Sequence, residues 1–282
     1  MNGQMTDSFP RPILSVRDLC VDYVTDAADF RAVDHVSFDI QPGEIFGLAG
    51  ESGCGKSTIA YAVTRLHQPP ALISKGSIHL EGQDILALDE KALCQWRWRE
   101  VSMVFQNAMT ALNPVITVAE QFRDVFRAHT NMRRAEIKER SCHLMDLVGI
   151  PPERLNDFPH QFSGGMRQRI AIAIALALEP KLIVMDEPTT ALDVVVQQEI
   201  LSEVMRLREQ LGFSVLFITH DLTLMSQFCE RIGVMLQGRL VELNTAHAIS
   251  TAPEHDYTAS LWRSIPPLRP SLERQKEMEV LL

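Results

Sequence analysis

The chain has 282 residues, 46% of them apolar, enough for one large domain or two smaller ones with a proper core. Its 27 basic and 36 acidic side chains give a formal charge of −9 with no long basic run, which argues against a protein that grips nucleic acid by charge. The longest apolar run, Ile170 to Leu178, is too short to span a bilayer, and Met1 to Asp7 hold no signal-peptide core. Five scattered cysteines (Cys20, Cys54, Cys94, Cys142, Cys229) form no C-x-x-C pair, so the expectation is a cytoplasmic chain with free thiols.

In chain order, Val16, Leu19, Val21 and Tyr23, then Val33, Val36, Phe38 and Ile40, alternate as two strands do, up to the turn signal Gln41-Pro42-Gly43. The apolar run Ile45 to Ala49 then feeds straight into Gly50-Glu51-Ser52-Gly53-Cys54-Gly55-Lys56-Ser57, and a helix-competent segment from Thr58 to Leu66 follows. This is G-x-x-x-x-G-K-[ST] between a strand and a helix, a phosphate cradle. Gly50, Gly53 and Gly55 let successive N–H groups converge on phosphate oxygens at a helix start. Lys56 supplies a point charge to the β- and γ-phosphates, and the Ser57 hydroxyl is a ligand for Mg²⁺. Cys54 reads as a small residue filling a variable position, with reactivity toward alkylating agents as the other possibility.

A strand-like piece, Ser77 to Gly82, comes next. From Val118 to Val148 the apolar residues (Val118, Phe122, Val125, Phe126, Ile137, Leu144, Leu147) fall at helical spacing among many charges, which predicts a helical insert. Ser163, Gly164 and Gly165 precede a helix over Ile170 to Leu178. Ser163 can cap that helix while the glycines expose its first N–H groups; alone, this is an ordinary N-cap with a flexible lead-in. Leu182 to Met185 then form a buried strand that delivers Asp186 and Glu187 at its C-terminal edge, where ligands bind in an open α/β sheet. Asp186 would hold Mg²⁺ through its water shell, and Glu187 would orient the attacking water. A helix from Val194 to Glu209 and a strand from Val215 to Ile218 follow, so the alternation predicts an α/β domain around a mainly parallel sheet. The last thirty residues, rich in proline and charge, read as appendage rather than core.

Taken together, Tyr23, Gly50 to Thr58, Gln106, Phe162 to Met166, Asp186-Glu187, Ala191-Leu192-Asp193 and His220 resemble, in order, the motifs of the ATP-binding subunit of an ABC transporter. The resemblance spans roughly residues 11 to 265. It implies a P-loop ATPase core with a mainly parallel sheet (1–106 and 170–250), an N-terminal antiparallel β subdomain, a helical subdomain (107–169) and a C-terminal extension (251–282). It further implies that Tyr23 stacks on adenine, that Gln106 ligates Mg²⁺ and senses a membrane partner, and that His220 hydrogen-bonds the γ-phosphate. ATP would lie against Gly50, Glu51, Ser52, Gly53, Cys54, Gly55, Lys56, Ser57 and Thr58. Ser163, Gly164 and Gly165 would touch ATP held by the opposite subunit, and Asp193 would lie at the dimer interface. Without that set of motifs, Tyr23 is a core or surface aromatic, His220 a strand-terminal histidine, and Gln106 carries no information.

Met166 in Met166-Arg167-Gln168-Arg169, the segment Met109 to Pro114, and Pro253 to Thr258 are similar to the branch that imports oligopeptides, dipeptides and nickel. Ala108 and Asp256 stand where that branch usually has proline. No cysteine follows Cys229, so the iron–sulfur centre of some members is not expected. The resemblance implies an ATPase subunit on the cytoplasmic face of the membrane, paired with a second ATPase subunit and served by permease subunits and a substrate-binding protein, with no nucleic-acid partner. The alternatives are a soluble ABC-type ATPase acting on nucleic acid or translation, and a P-loop kinase, which would leave Ser163 to Met166 unexplained.

Overall fold

The computed structural model describes residues 11–25, 28–106, 111–189 and 192–264; Ala108, Met109, Thr110, Ala191 and the last eighteen residues of the tail lie outside them. The chain opens with strands β1 (Leu14–Val24) and β2 (Asp29–Ile40), which pair antiparallel, Tyr23 opposite Phe30. After the turn at Gly43 it leaves that pair for β3 (Ile45–Ala49), the phosphate-loop sequence and helix α1 (Lys56–Val63). It then returns with β4 (Ala71–Leu80) and β5 (Gln83–Asp84) to complete an antiparallel sheet ordered β2-β1-β4-β5.

The remaining strands, β6 (Val101–Val104), β7 (Leu182–Asp186), β8 (Ser214–Ile218), β9 (Arg231–Leu236) and β10 (Arg239–Thr245), join β3 in a second sheet ordered β10-β9-β3-β8-β7-β6. All its pairings are parallel except β9 with β10 at the edge. Strands β3, β7 and β8 are buried at every residue, as strands covered on both faces must be, and so show no polar alternation. Period-two geometry nevertheless sorts their side chains between two cores. Ile45, Ile183, Met185, Val215 and Phe217 enter one; Phe46, Leu48, Leu182, Val184, Leu216 and Ile218 enter the other. The second core contains α1 and the antiparallel sheet, so the phosphate loop is pinned between two sheets.

Helix α2 (Glu90–Trp96), capped by Asp89, leads to β6. The predicted insert is two helices, α3 (Val118–His129) and α4 (Arg134–Leu147), followed by 3₁₀ turns at Pro152–Asn156 and Pro159–Gln161. Thr117 and Glu120 form a capping box at the start of α3, and Val118, Phe122 and Phe126, four residues apart, form its buried stripe. Helix α5 (Gly164–Ala175) starts beside this layer and crosses into the first core through Ile170, Ile172, Ala173 and Ala175. Helix α6 (Val194–Leu211) is capped by Asp193 and ends at Gly212, whose φ of 76° is the left-handed conformation of a helix stop. Helix α7 (Leu222–Phe228) follows β8.

Past β10, α8 (Ala246–Thr251) and α9 (Asp256–Ser264) correct the reading of the tail. The described part of the extension is core-bound: Thr258 is fully buried, and Tyr257, Leu261 and Trp262 pack on the first core. The appendage reading followed proline and charge content. It missed four residues (Tyr257, Thr258, Leu261, Trp262) that share one helix face at i, i+1, i+4 and i+5.

Candidate functional site

Gly55 is the N-cap of α1 with φ 104°, and no side chain caps that terminus, so the first N–H groups of the helix have no side-chain acceptor. A Cβ on Gly55 would lie 2.4 Å from the Ala32 carbonyl oxygen and one on Gly50 2.4 Å from that of Met235, so only glycine fits either position. The loop passes between neighbouring backbones with no room for a side chain there. Lys56 is only 5% exposed and folds back, donating from Nζ to the carbonyls of Gly50 (2.7 Å) and Glu51 (2.8 Å). Its Nζ also lies 3.6 Å from Cys54 Sγ, and Cys54 is buried, in accord with the packing reading of that thiol.

The structure brings the acid pair to this loop. Ser57 Oγ donates to Asp186 Oδ1 at 3.1 Å across 129 residues of sequence. Asp186 is 1% exposed, and burial pushes its carboxyl above the usual range, with the Ser57 hydrogen bond and the Lys56 charge pulling the other way. No cation is paired with it among the described residues. A desolvated carboxylate next to a hydroxyl is an oxygen donor set suited to a hard divalent cation, so the residues fit Mg²⁺.

Glu187 adopts φ 45°, a left-handed conformation that costs a non-glycine residue on the order of 1 kcal/mol or more. Its N–H is tied to the Ile218 carbonyl at 2.8 Å, which anchors the turn as the chain leaves β7. Gln106 donates from Nε2 to Glu187 Oε2 at 2.7 Å, and His220 Nδ1 stands 3.4 Å from Oε1. Both carboxylate oxygens therefore meet residues singled out in the sequence.

Tyr23, Phe30 and Ala32 form one wall of a cleft of about 400 Å³ whose other lining residues include Ser52, Gly53, Lys56, Ser57, Thr58, Gln106 and Glu187. The Tyr23 hydroxyl lies 3.5 Å from Thr58 Oγ1. Phe30 was not foreseen, although at 61% exposure it is an aromatic that no core explains. Its cross-strand pairing with Tyr23 could have been read only with the register in hand.

Ser163, Gly164 and Gly165 are elsewhere. They line a separate cleft of about 570 Å³ with Met166, Arg169, Asp193 and Glu199, which shares no residue with the first. Ser163 accepts at Oγ from the Met166 N–H (3.3 Å), and Asp193 accepts from the Val196 N–H (3.0 Å). A third cleft, of about 330 Å³, includes Phe105, the residue before Gln106 in the chain, and is lined mainly by apolar side chains (Trp98, Met103, Leu112, Val125, Ile174) with Gln121 and Asp124 among them. No single stretch of sequence signalled it, because its walls come from four separate segments.

Comparison with known proteins gives the family. Residues 33–190 match the family model described as ABC transporter. The chain is 45% identical to the peptidoglycan transport ATP-binding protein YejF of Agrobacterium fabrum over 93% of its own length, although it spans only 48% of that protein. It is 42% identical to the oligopeptide transport ATP-binding protein OppD of Bacillus subtilis, covering 93% of this chain and 74% of the relative. Among solved structures, the dimeric post-hydrolysis state of the ATP-binding cassette MJ0796 bound to ADP and Pi superposes with a TM-score of 0.72 at 28% identity, over 83% of this chain and 98% of that one. The chain belongs to the ABC transporter family, as one of its ATP-binding subunits.

Proposed function

We propose that the chain is the ATP-hydrolysing subunit of an importer of peptides, coupling ATP-driven closure of two nucleotide-binding subunits to movement of cargo through membrane permeases. The observation that carries the site assignment is the contact of Ser57 with Asp186 beside a lysine folded over a glycine loop that leads into a helix start without a side-chain cap. These groups suit a nucleoside triphosphate: the N–H groups and Lys56 bind its phosphates, and Tyr23, with Phe30 beside it, stacks on the base. Ser57, Asp186 and Gln106, the last through its side-chain carbonyl oxygen, would hold Mg²⁺, which when bound neutralises charge on the β- and γ-phosphates. Glu187 orients water for in-line attack and takes its proton on the carboxylate that Gln106 and His220 flank. His220 donates to the γ-phosphate. Peptide import follows the roles of relatives such as the oligopeptide transport protein OppD, and a nucleic-acid role draws no support from the −9 charge.

The second cleft supplies the assembly. Ser163, Gly164 and Gly165 would complete the site of a second ATPase subunit, and the mainly apolar cleft at Phe105 would receive a permease segment. No described helix is long and apolar enough to cross a membrane, so attachment to its cytoplasmic face would run through the permease, with a substrate-binding protein presenting cargo from the other side. Glu187→Gln tests the chemistry: ATP binding should be retained while phosphate release falls by about two orders of magnitude or more, the scale for loss of a positioned base. Near-normal release would remove Glu187 from the mechanism.

A further inference from the structure

The C-terminal extension reaches the phosphate loop. The backbone N–H of Glu51 donates to the Tyr257 hydroxyl at 3.3 Å, a contact across 206 residues. The same peptide unit carries the Gly50 carbonyl that accepts from Lys56 Nζ at 2.7 Å. One peptide plane is thus held at both ends, by a phenol on its N–H and by the ammonium of Lys56 on its oxygen. A peptide that follows glycine turns easily, because no Cβ on Gly50 restrains it, so such bonds decide which way the carbonyl points.

The far side of the brace is equally fixed. Glu242 on β10, 7% exposed, accepts from the N–H groups of Glu254 (2.9 Å) and His255 (3.0 Å) and so clamps the entry to α9. Thr258, one residue beyond Tyr257, is fully buried. A line of contacts therefore runs from the sheet edge through α9 to the loop.

We propose that Tyr257 is a positioning residue of the nucleotide site: its hydroxyl orients the Gly50–Glu51 peptide against Lys56, so that the C-terminal extension sets the affinity of the phosphate loop for ATP. The proposal rests on the reading of Lys56 as a phosphate ligand.

The test uses the full chain, ATP with Mg²⁺, and Tyr257→Phe, which keeps the ring and removes the hydroxyl. Losing one hydrogen bond of ordinary strength should raise the Kd for ATP about threefold to tenfold. The melting midpoint should stay in place, and hydrogen exchange at the Glu51 amide should quicken. In the assembled transporter KM for ATP should rise with kcat unchanged. An unaltered Kd, with or without a lowered melting midpoint, overturns the proposal, because a merely structural tyrosine gives that result. Lys56→Ala separates the two layers. If it abolishes ATP binding while Tyr257→Phe has no effect, the positioning role alone falls; if Lys56→Ala binds ATP normally, the reading of the loop falls and the proposal with it.

Discussion

The molecule presents two glycine-containing helix starts, one at Gly55 and one at Ser163, and they are built on opposite plans. Helix α1 begins with no side-chain cap, from a glycine at φ 104°, under a lysine already bonded to the loop. Helix α5 begins with Ser163 capping its own Met166 N–H, and neither Gly164 nor Gly165 has positive φ. An uncapped terminus leaves its N–H groups to water or an incoming anion; a capped one already has a partner for one of them. This difference teaches which half of the chemistry belongs to the chain itself. The phosphate loop, with metal-type ligands and Glu187 beside it, would, on the proposed function, bind the chain's own nucleotide. The Ser163 terminus, on the proposed function, would complete a site held by another subunit.

Glycine chemistry offers the sharpest way to break that comparison. At Gly55 an added Cβ would require a left-handed alanine and would sit 2.4 Å from a backbone carbonyl that cannot swing aside. The conformation alone costs about 2 kcal/mol, so Gly55→Ala should weaken ATP binding by at least about thirtyfold in a calorimetric titration. Binding close to that of the unaltered chain would mean that the loop does not gather its N–H groups around phosphate.

The second substitution addresses the other helix start. Ser163→Arg puts bulk and charge at the capped terminus, in the cleft that shares no residue with the chain's own phosphate loop. ATP binding by the lone chain should be unchanged, while turnover of the assembled pair should fall on the order of tenfold or more, since transition-state donors opposite the γ-phosphate are displaced. Loss of nucleotide binding by the lone chain would refute the shared-site reading.

How much of this was legible beforehand follows from the range of the interactions. The phosphate loop, the acid pair and the capping serine are local patterns, and the structure places Gly50 to Ser57 and Ser163 to Gly165 at helix starts, with Asp186 and Glu187 at a strand end. The loop helix starts at Lys56 rather than Thr58, because Gly55 rather than a later residue serves as its cap. The helix after Ser163 runs Gly164–Ala175 rather than Ile170 to Leu178: the glycines seen as a lead-in are its first turn, accepted because Ser163 caps them. What escaped was nonlocal. Phe30 joins Tyr23 only through strand register, Tyr257 reaches Glu51 only through the docking of α9, and the mainly apolar cleft at Phe105 exists only once β6, α3 and α5 are packed. The described part of the tail was misjudged because proline and charge content carries no positional information, whereas the spacing of Thr258, Leu261 and Trp262 marks a face that packs.

The smallest effect belongs to Gly165, and it probes how tightly the second helix start is built. Its conformation is open to any residue, yet a Cβ there would lie 2.8 Å from Cγ1 of Val196 on α6, the helix that Asp193 caps. The obstacle is one methyl group of a side chain, not a backbone oxygen, so relief is possible. Gly165→Ala should therefore push α5 and α6 slightly apart at the face proposed to meet the second subunit, at an overpacking cost of about 1 kcal/mol, and lower turnover of the pair about fivefold without touching ATP binding by the lone chain. Removing the opposing methyl in Gly165→Ala with Val196→Ala should return most of that turnover, because the two changes share one contact and will not add. Equal turnover in the single and double variants would show that the cost of Gly165→Ala does not come from this contact, and that the glycine is needed for the close approach of something outside the chain.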